Sequence, residues 1–148
     1  MRVFLVVIDE TDEARSALRY AARRAGAVDG GVHILALVPQ QNISAFGGIQ
    51  ATIEQEARAR AEMLAHGAAG SLLAEMGIMP AISVAVGGGQ KVIREFLDEH
   101  GNIAALVLGA AKGGNPGPLV FHFSTHAGEL PCPLYIIPEE FDEAANDV

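Results

Sequence analysis

Three features of the sequence predict an α/β chain in three layers, a single parallel sheet covered by helices on both faces. Short apolar runs alternate with stretches of helical spacing along the whole length. The runs are mostly continuous in Val, Ile and Leu, without interleaved polar residues, which marks strands buried on both sides. Length agrees: 148 residues, half of them hydrophobic, suffice for one domain that removes roughly 68–70% of its extended-chain surface from water. The connections between successive parallel strands are then expected to be right-handed crossovers. The lone Cys132 can close no intramolecular disulfide, and a core of this size needs none.

Taken in order, the strands are expected at Val3–Ile8, Val32–Val38, Ala81–Val86, Ala104–Leu108 and Leu134–Ile137. The first helix follows Thr11, an N-cap type, with Asp12 and Glu13 in the opening turn, where the helix dipole favours anions. It turns Ala14, Leu18, Ala21 and Ala25 inward, and Gly26 is read as its stop. Pro39 to Gly48 reads as a polar connection, either a lid or a loose loop. A long helix then repeats Ile49, Ile53, Ala57, Ala61, Leu64, Ala68, Leu72 and Met76 at spacings of three or four, closed by Gly77 and Pro80. A third runs from Gln90 to His100 with Val92, Ile93, Phe96 and Leu97 inward, and a fourth occupies Leu119 to Glu129. The domain is expected to end at Pro138. Glu139 to Val148 holds five acids and no base and reads as a solvated, mobile end, with an acidic interaction segment as the alternative.

Composition narrows the function classes. The run Val3 to Ile8 ends in Asp9, Glu10, Asp12 and Glu13, so it reads as a strand and not as a signal peptide. No apolar run approaches the roughly 20 residues that cross a bilayer, and a cytoplasmic protein is expected. A formal charge of −8 with only two lysines, Lys91 and Lys112, opposes binding to a phosphate backbone, so neither nucleic acid nor membrane is expected as a partner. No P-loop, no Gly-x-Gly-x-x-Gly after the first strand and no Gly-x-Ser-x-Gly elbow occurs, so no enzyme is indicated.

Ligands of open parallel sheets bind beyond the carboxyl ends of the strands, where neighbouring loops diverge. Two segments therefore stand out, Asp9-Glu10-Thr11 after the first strand and the Gly- and Pro-rich run Gly109 to Pro118 after the fourth. Glycines admit phosphate to backbone amides, a following helix adds its positive end, and Lys112 would supply a full charge. The plainer reading is that such a turn needs glycines for its own backbone angles. His122 and His126 share a helical face but lack a clear third ligand, and are expected as surface or interface residues. Cys132 is expected as a small packed side chain, and Gly87-Gly88-Gly89 as a tight turn at the end of the third strand.

The chain resembles the universal stress protein family from about Val3 to Pro138. The resemblance rests on the strand ending in Asp9 with Thr11 and an Ala-rich helix behind it, on Leu106-Val107-Leu108-Gly109, and on Pro131-Cys132-Pro133-Leu134-Tyr135-Ile136-Ile137-Pro138. It implies a Rossmann-like five-stranded sheet in the order 3-2-1-4-5, a homodimer through the last strand, and in many members a site for ATP or AMP. The implied nucleotide site would comprise Ile8, Asp9, Leu37, Gly109, Lys112, Gly113 and Ser124, with the base and ribose near Asp9 and Leu37 and the phosphates after Gly109. The match departs from the binding pattern of glycine, two residues, glycine, nine residues, then glycine with Ser or Thr. Counting from Gly109 places Lys112 and His122-Phe123 at the later glycine positions, and a one-residue insertion places Gly113 and Phe123-Ser124 there. Glu10 also stands where the family carries glycine. An unpaired carboxylate about 5 Å from a phosphate charge opposes it by around 1–3 kcal/mol. The expectation is a UspA-like, non-catalytic dimeric stress-response module with a degenerate motif, in which ATP is disfavoured and AMP or another small ligand stays open. The alternative is a working ATP or AMP sensor.

Overall fold

The computed structural model describes residues 1–9, 11–38 and 47–141, with the side chains of the helix that begins at 47 described from residue 52 onward. The connection Pro39 to Phe46, Glu10, the inward placement of Ile49 and the segment from Asp142 lie outside the described residues.

Strands β1 (Val3–Ile8), β2 (Gly31–Val38), β3 (Ala81–Val86), β4 (Ile103–Ala110) and β5 (Leu134–Pro138) alternate with helices α1 (Asp12–Ala27), α2 (Gly47–Met76), α3 (Gly89–Glu99) and α4 (Pro118–Thr125). All strand pairs are parallel, and the sheet order is β3-β2-β1-β4-β5. This is the three-layer, Rossmann-like arrangement expected from the continuous apolar runs. Along β1 the pleat sends Phe4, Val6 and Ile8 into one core and Leu5 and Val7 into the other, so both phases of the alternation must be apolar. The first core is closed by α1 and α2. The second is closed by α3 and α4 through Ile93, Phe96, Leu97, Val120 and Phe123.

Alanine governs the first core. Ala17, Ala21 and Ala25 of α1 and Ala57, Ala61, Ala65 and Ala69 of α2 are buried, a run at every fourth residue that brings both helix backbones close to the sheet. In α2 this face differs from the expected one, since Leu64, Ala68 and Met76 are only partly buried beside it. The small residues win the closest positions because larger ones would hold the helix off the strands.

Two helix ends also differ from expectation. α1 passes through the exposed Gly26 and ends beyond Ala27, where Asp29 takes φ 54° and the Gly30 N–H donates to the Ala25 carbonyl at 2.7 Å. A glycine costs a helix only about 1 kcal/mol, so the left-handed Asp29 makes the stop. The fourth helix ends at Thr125, and a separate 3-10 turn covers Ala127–Glu129. Its last carbonyls are taken by side chains: Ser124 and Thr125 hydroxyls donate to Phe121 O at 3.3 and 2.8 Å, and His126 Nδ1 lies 2.8 Å from His122 O.

Candidate functional site

Because β1 and β4 are parallel neighbours, with Phe4 to Val6 opposite Ala105 to Val107, their carboxyl ends emerge on one rim. Asp9 leaves β1 there and Gly109 closes β4. Between them lies a crevice of about 110 Å³, floored by Val7 and Leu108 and walled by Asp9, Thr11, Glu13, Gly109, Gly117 and Leu119. The two sequence segments singled out for chemistry therefore share one hollow.

Local structure uses most of the polar groups at this rim. The Asp9 carboxylate accepts from the Thr11 N–H at 2.9 Å and from the Thr11 hydroxyl, while Thr11 Oγ1 accepts from Ala14 N–H at 3.3 Å as the N-cap of α1. Asp9 is exposed, and its carboxylate is engaged in starting the helix. Gly109 has a packing reason as well. A Cβ there would fall on the Glu13 carbonyl and 2.9 Å from the Glu13 Cβ, so the missing side chain is what lets the first turn of α1 lie against β4.

The loop after β4 folds on itself through Ala111 N–H to Pro116 O at 3.2 Å and Gly117 N–H to Asn115 Oδ1 at 3.1 Å. Gly117, at φ 111°, is the N-cap of α4, and Pro118 takes the first helical position. No side chain caps this helix start, and its first residues border the crevice. Lys112 points elsewhere. Its N–H donates to Glu139 Oε2 at 3.0 Å and its ammonium pairs with Glu140, outside the crevice, and the hydrogen bond it donates to the Glu140 carboxylate raises the ammonium pKa. Glu13 is among the lining residues instead, beside Asp9, and no basic residue is.

The remaining sequence-derived candidates disperse. Ile8 is buried in the α1–α2 core and borders, together with Asp9 and Thr11, a second hollow of about 370 Å³ between those helices. Leu37 packs with the opposite core. Gly113 is exposed on the loop. Ser124 is exposed near the far end of α4, about 9 Å along the axis from Pro118, because counting forward from Gly109 runs past the true helix start. Gly117 is the glycine at that start, and the Gly-Pro pair was the available signal. Glu13 was visible only as a helix-dipole residue.

Elsewhere, His122 and His126 have ring centroids 4.5 Å apart, and among the described residues no group of three His, Cys, Asp or Glu side chains could hold a metal ion. Burial pushes the Cys132 thiol pKa up, leaving it in the unreactive protonated form. The Gly87 N–H donates to Val38 O at 3.1 Å and Gly88 begins α3, a tight turn as expected.

The sequence model of the Universal stress protein family matches residues 1–138. The chain belongs to that family. Solved structures agree in fold: UspA from Lactobacillus plantarum is 19% identical, with 92% of this chain and 97% of that one covered at a TM-score of 0.78. A universal stress family protein from Burkholderia pseudomallei is 17% identical over 92% and 95%, with a TM-score of 0.74. A family protein from Arabidopsis thaliana, described with AMP bound, is 16% identical over 97% and 95%, with a TM-score of 0.65. No curated protein sequence matches the chain. At such identities the structural likenesses establish the fold, and the site must be argued from this chain's own residues. No helix among the described residues is long and apolar enough to cross a membrane.

Proposed function

We propose that this universal stress family member is a non-catalytic, dimeric stress-response module that works through its surfaces in the cytoplasm, with a residual nucleotide-type crevice that disfavours ATP. One observation carries this reading. The sole cation of the loop after β4, Lys112, is committed to Glu139 and Glu140, while two acidic residues, Asp9 and Glu13, and no basic one are among those lining the crevice. A triphosphate entering there meets negative charge without compensation. The hollow of about 110 Å³ is also well below the ~300 Å³ at which small-molecule sites begin. Dimerisation through β5 is supported by its place at the sheet edge and by Ile136, 40% exposed, with Phe121, 70% exposed, on the neighbouring α4.

A second reading, an AMP sensor, is favoured by the uncapped start of α4 on the crevice rim and by the AMP-bound relative. Isothermal titration of ATP and AMP into the full chain tests both. The module reading expects no ATP heat at about 1 mM, the range where binding is worth only about 4 kcal/mol. AMP binding that Asp9→Ala abolishes would establish the sensor. Sedimentation that gives a monomer mass at every concentration would refute the dimer.

A further inference from the structure

Three rings meet where the end of α3 lies over the sheet, at the amino ends of the strands and on the rim opposite the crevice. His33 stands on β2 between Leu5 of β1 and Ala81 of β3, and its Nε2 lies 2.7 Å from the Ser83 hydroxyl of β3. The Phe96 ring of α3 meets this imidazole edge-on, with centroids 4.7 Å apart. His100, the C-cap of α3, stacks on the same Phe96 ring at 3.9 Å and 9°. A carbonyl can only accept, so His100 Nδ1 carries its proton toward Phe96 O at 2.8 Å, where the His100 backbone N–H also donates at 3.1 Å. The rings pin the last turn of α3 to the sheet.

The charges around this cluster are few. β1 and β3 carry no charged residue, and β3 offers only the Ser83 hydroxyl. On α3, Lys91 pairs with Glu95 and Arg94 with Asp98 along the exposed side, and Glu99 is exposed. Among the described residues no carboxylate forms an ion pair with either imidazole. The charge that acts on His33 is that of His100, with ring centroids 6.0 Å apart. A protonated His33 keeps its bond to Ser83, because the hydroxyl accepts, but it sits half-buried beside a like charge. His33 cannot move away, since β2 is held between β1 and β3. His100 can, because a helix end opens at low cost.

We propose that His33, Phe96 and His100 form an acid-released clasp, which holds the last turn of α3 on the sheet at neutral pH and lets it swing clear when the His33 imidazole takes up a proton. Opening carries the second positive charge away and admits water to His33. It also bares Phe96, 8% exposed in the closed form, so acidification is converted into an aromatic patch on this rim.

Native-state amide exchange of the full chain, read by NMR from about pH 7.5 to 5.0 and corrected for the intrinsic rate at each pH, tests the clasp. Uptake of one proton raises the opening constant by at most about tenfold per pH unit. Protection of Leu97 to His100 should therefore fall toward that slope below pH 6.5, the ordinary His33 value. It should stay at least tenfold below that of Leu5 and Val6, which marks opening without global unfolding. In His33→Gln, or His33→Asn if glutamine impairs folding, protection of this turn should no longer follow pH. In His100→Gln the ring signals of His33 should titrate at a higher pH than in the native chain. Protection that ignores pH, falls equally in the His33 variant or merges with that of β1 overturns the proposal, as does a His33 titration that His100→Gln leaves unmoved.

Discussion

Replacing Gly109 by alanine separates two reasons for a glycine at the end of β4. The added Cβ would fall on the Glu13 carbonyl and 2.9 Å from the Glu13 Cβ. These atoms belong to the first turn of α1 and cannot rotate aside, so the helix must retreat from the strand. Overpacking of this kind costs about 1–3 kcal/mol, and loosening the Thr11 cap adds about 1 kcal/mol. For 148 residues the unfolding entropy is roughly 0.3 kcal/mol/K, so a loss near 3 kcal/mol lowers the melting midpoint by about 10 °C. Gly114→Ala is the control. Its Cβ meets nothing within 4 Å, and it should stay within about 0.5 kcal/mol of the native chain. Both are measured by calorimetry at one protein concentration without nucleotide, because association or ligand would shift the midpoint. Equal midpoints for the two variants would refute the packing argument and leave phosphate approach as the reason for the glycine.

Further outcomes follow from the same contacts. Phe123, 1% exposed in the α3–α4 core, should cost about 3–5 kcal/mol as Phe123→Ala in denaturant titration. Thr11→Ala removes the cap that accepts from Ala14 N–H and should cost about 1 kcal/mol by the same assay. The pKa of His33 is lowered, first by burial and then by the neighbouring His100, so below pH 6.5 the unfolded chain binds protons that the folded chain refuses. Stability is therefore full above that pH and falls on acidification toward the folded value. Melting at pH 7.5 and 5.5 should show a smaller acid loss for His33→Gln than for the native chain, and an equal loss would contradict the assignment.

How much of this could be read from the sequence depended on how local the cause was. Continuous apolarity in β1 and β4 is a per-strand property, and it placed the sheet, the strand ends and the shared rim at Asp9 and Gly109. The alanines at 57, 61, 65 and 69 were on the page too, but period alone could not decide whether they or Leu64 and Ala68 lie closest to the sheet, because that is settled by how near the strands let α2 come. Lys112 looked like a phosphate ligand because its partners, Glu139 and Glu140, lie more than twenty residues downstream, on the far side of β5. Gly109 looked like a phosphate glycine because the carbonyl that requires its small size belongs to α1, nearly a hundred residues earlier. The start of the fourth helix was legible to within a residue, Leu119 against Pro118, because Gly117-Pro118 is a local signal; its end was not, since the hydroxyls and ring that take its last carbonyls could not be foreseen from spacing.

The central claim is that uncompensated carboxylates at the crevice keep ATP out, and titration of ATP into the native chain against Glu13→Gln measures it most directly. Removing one carboxylate of the lining should strengthen ATP binding by about tenfold or more from a native dissociation constant no tighter than roughly 1 mM. Micromolar binding by the native chain, with no gain from the substitution, would contradict it.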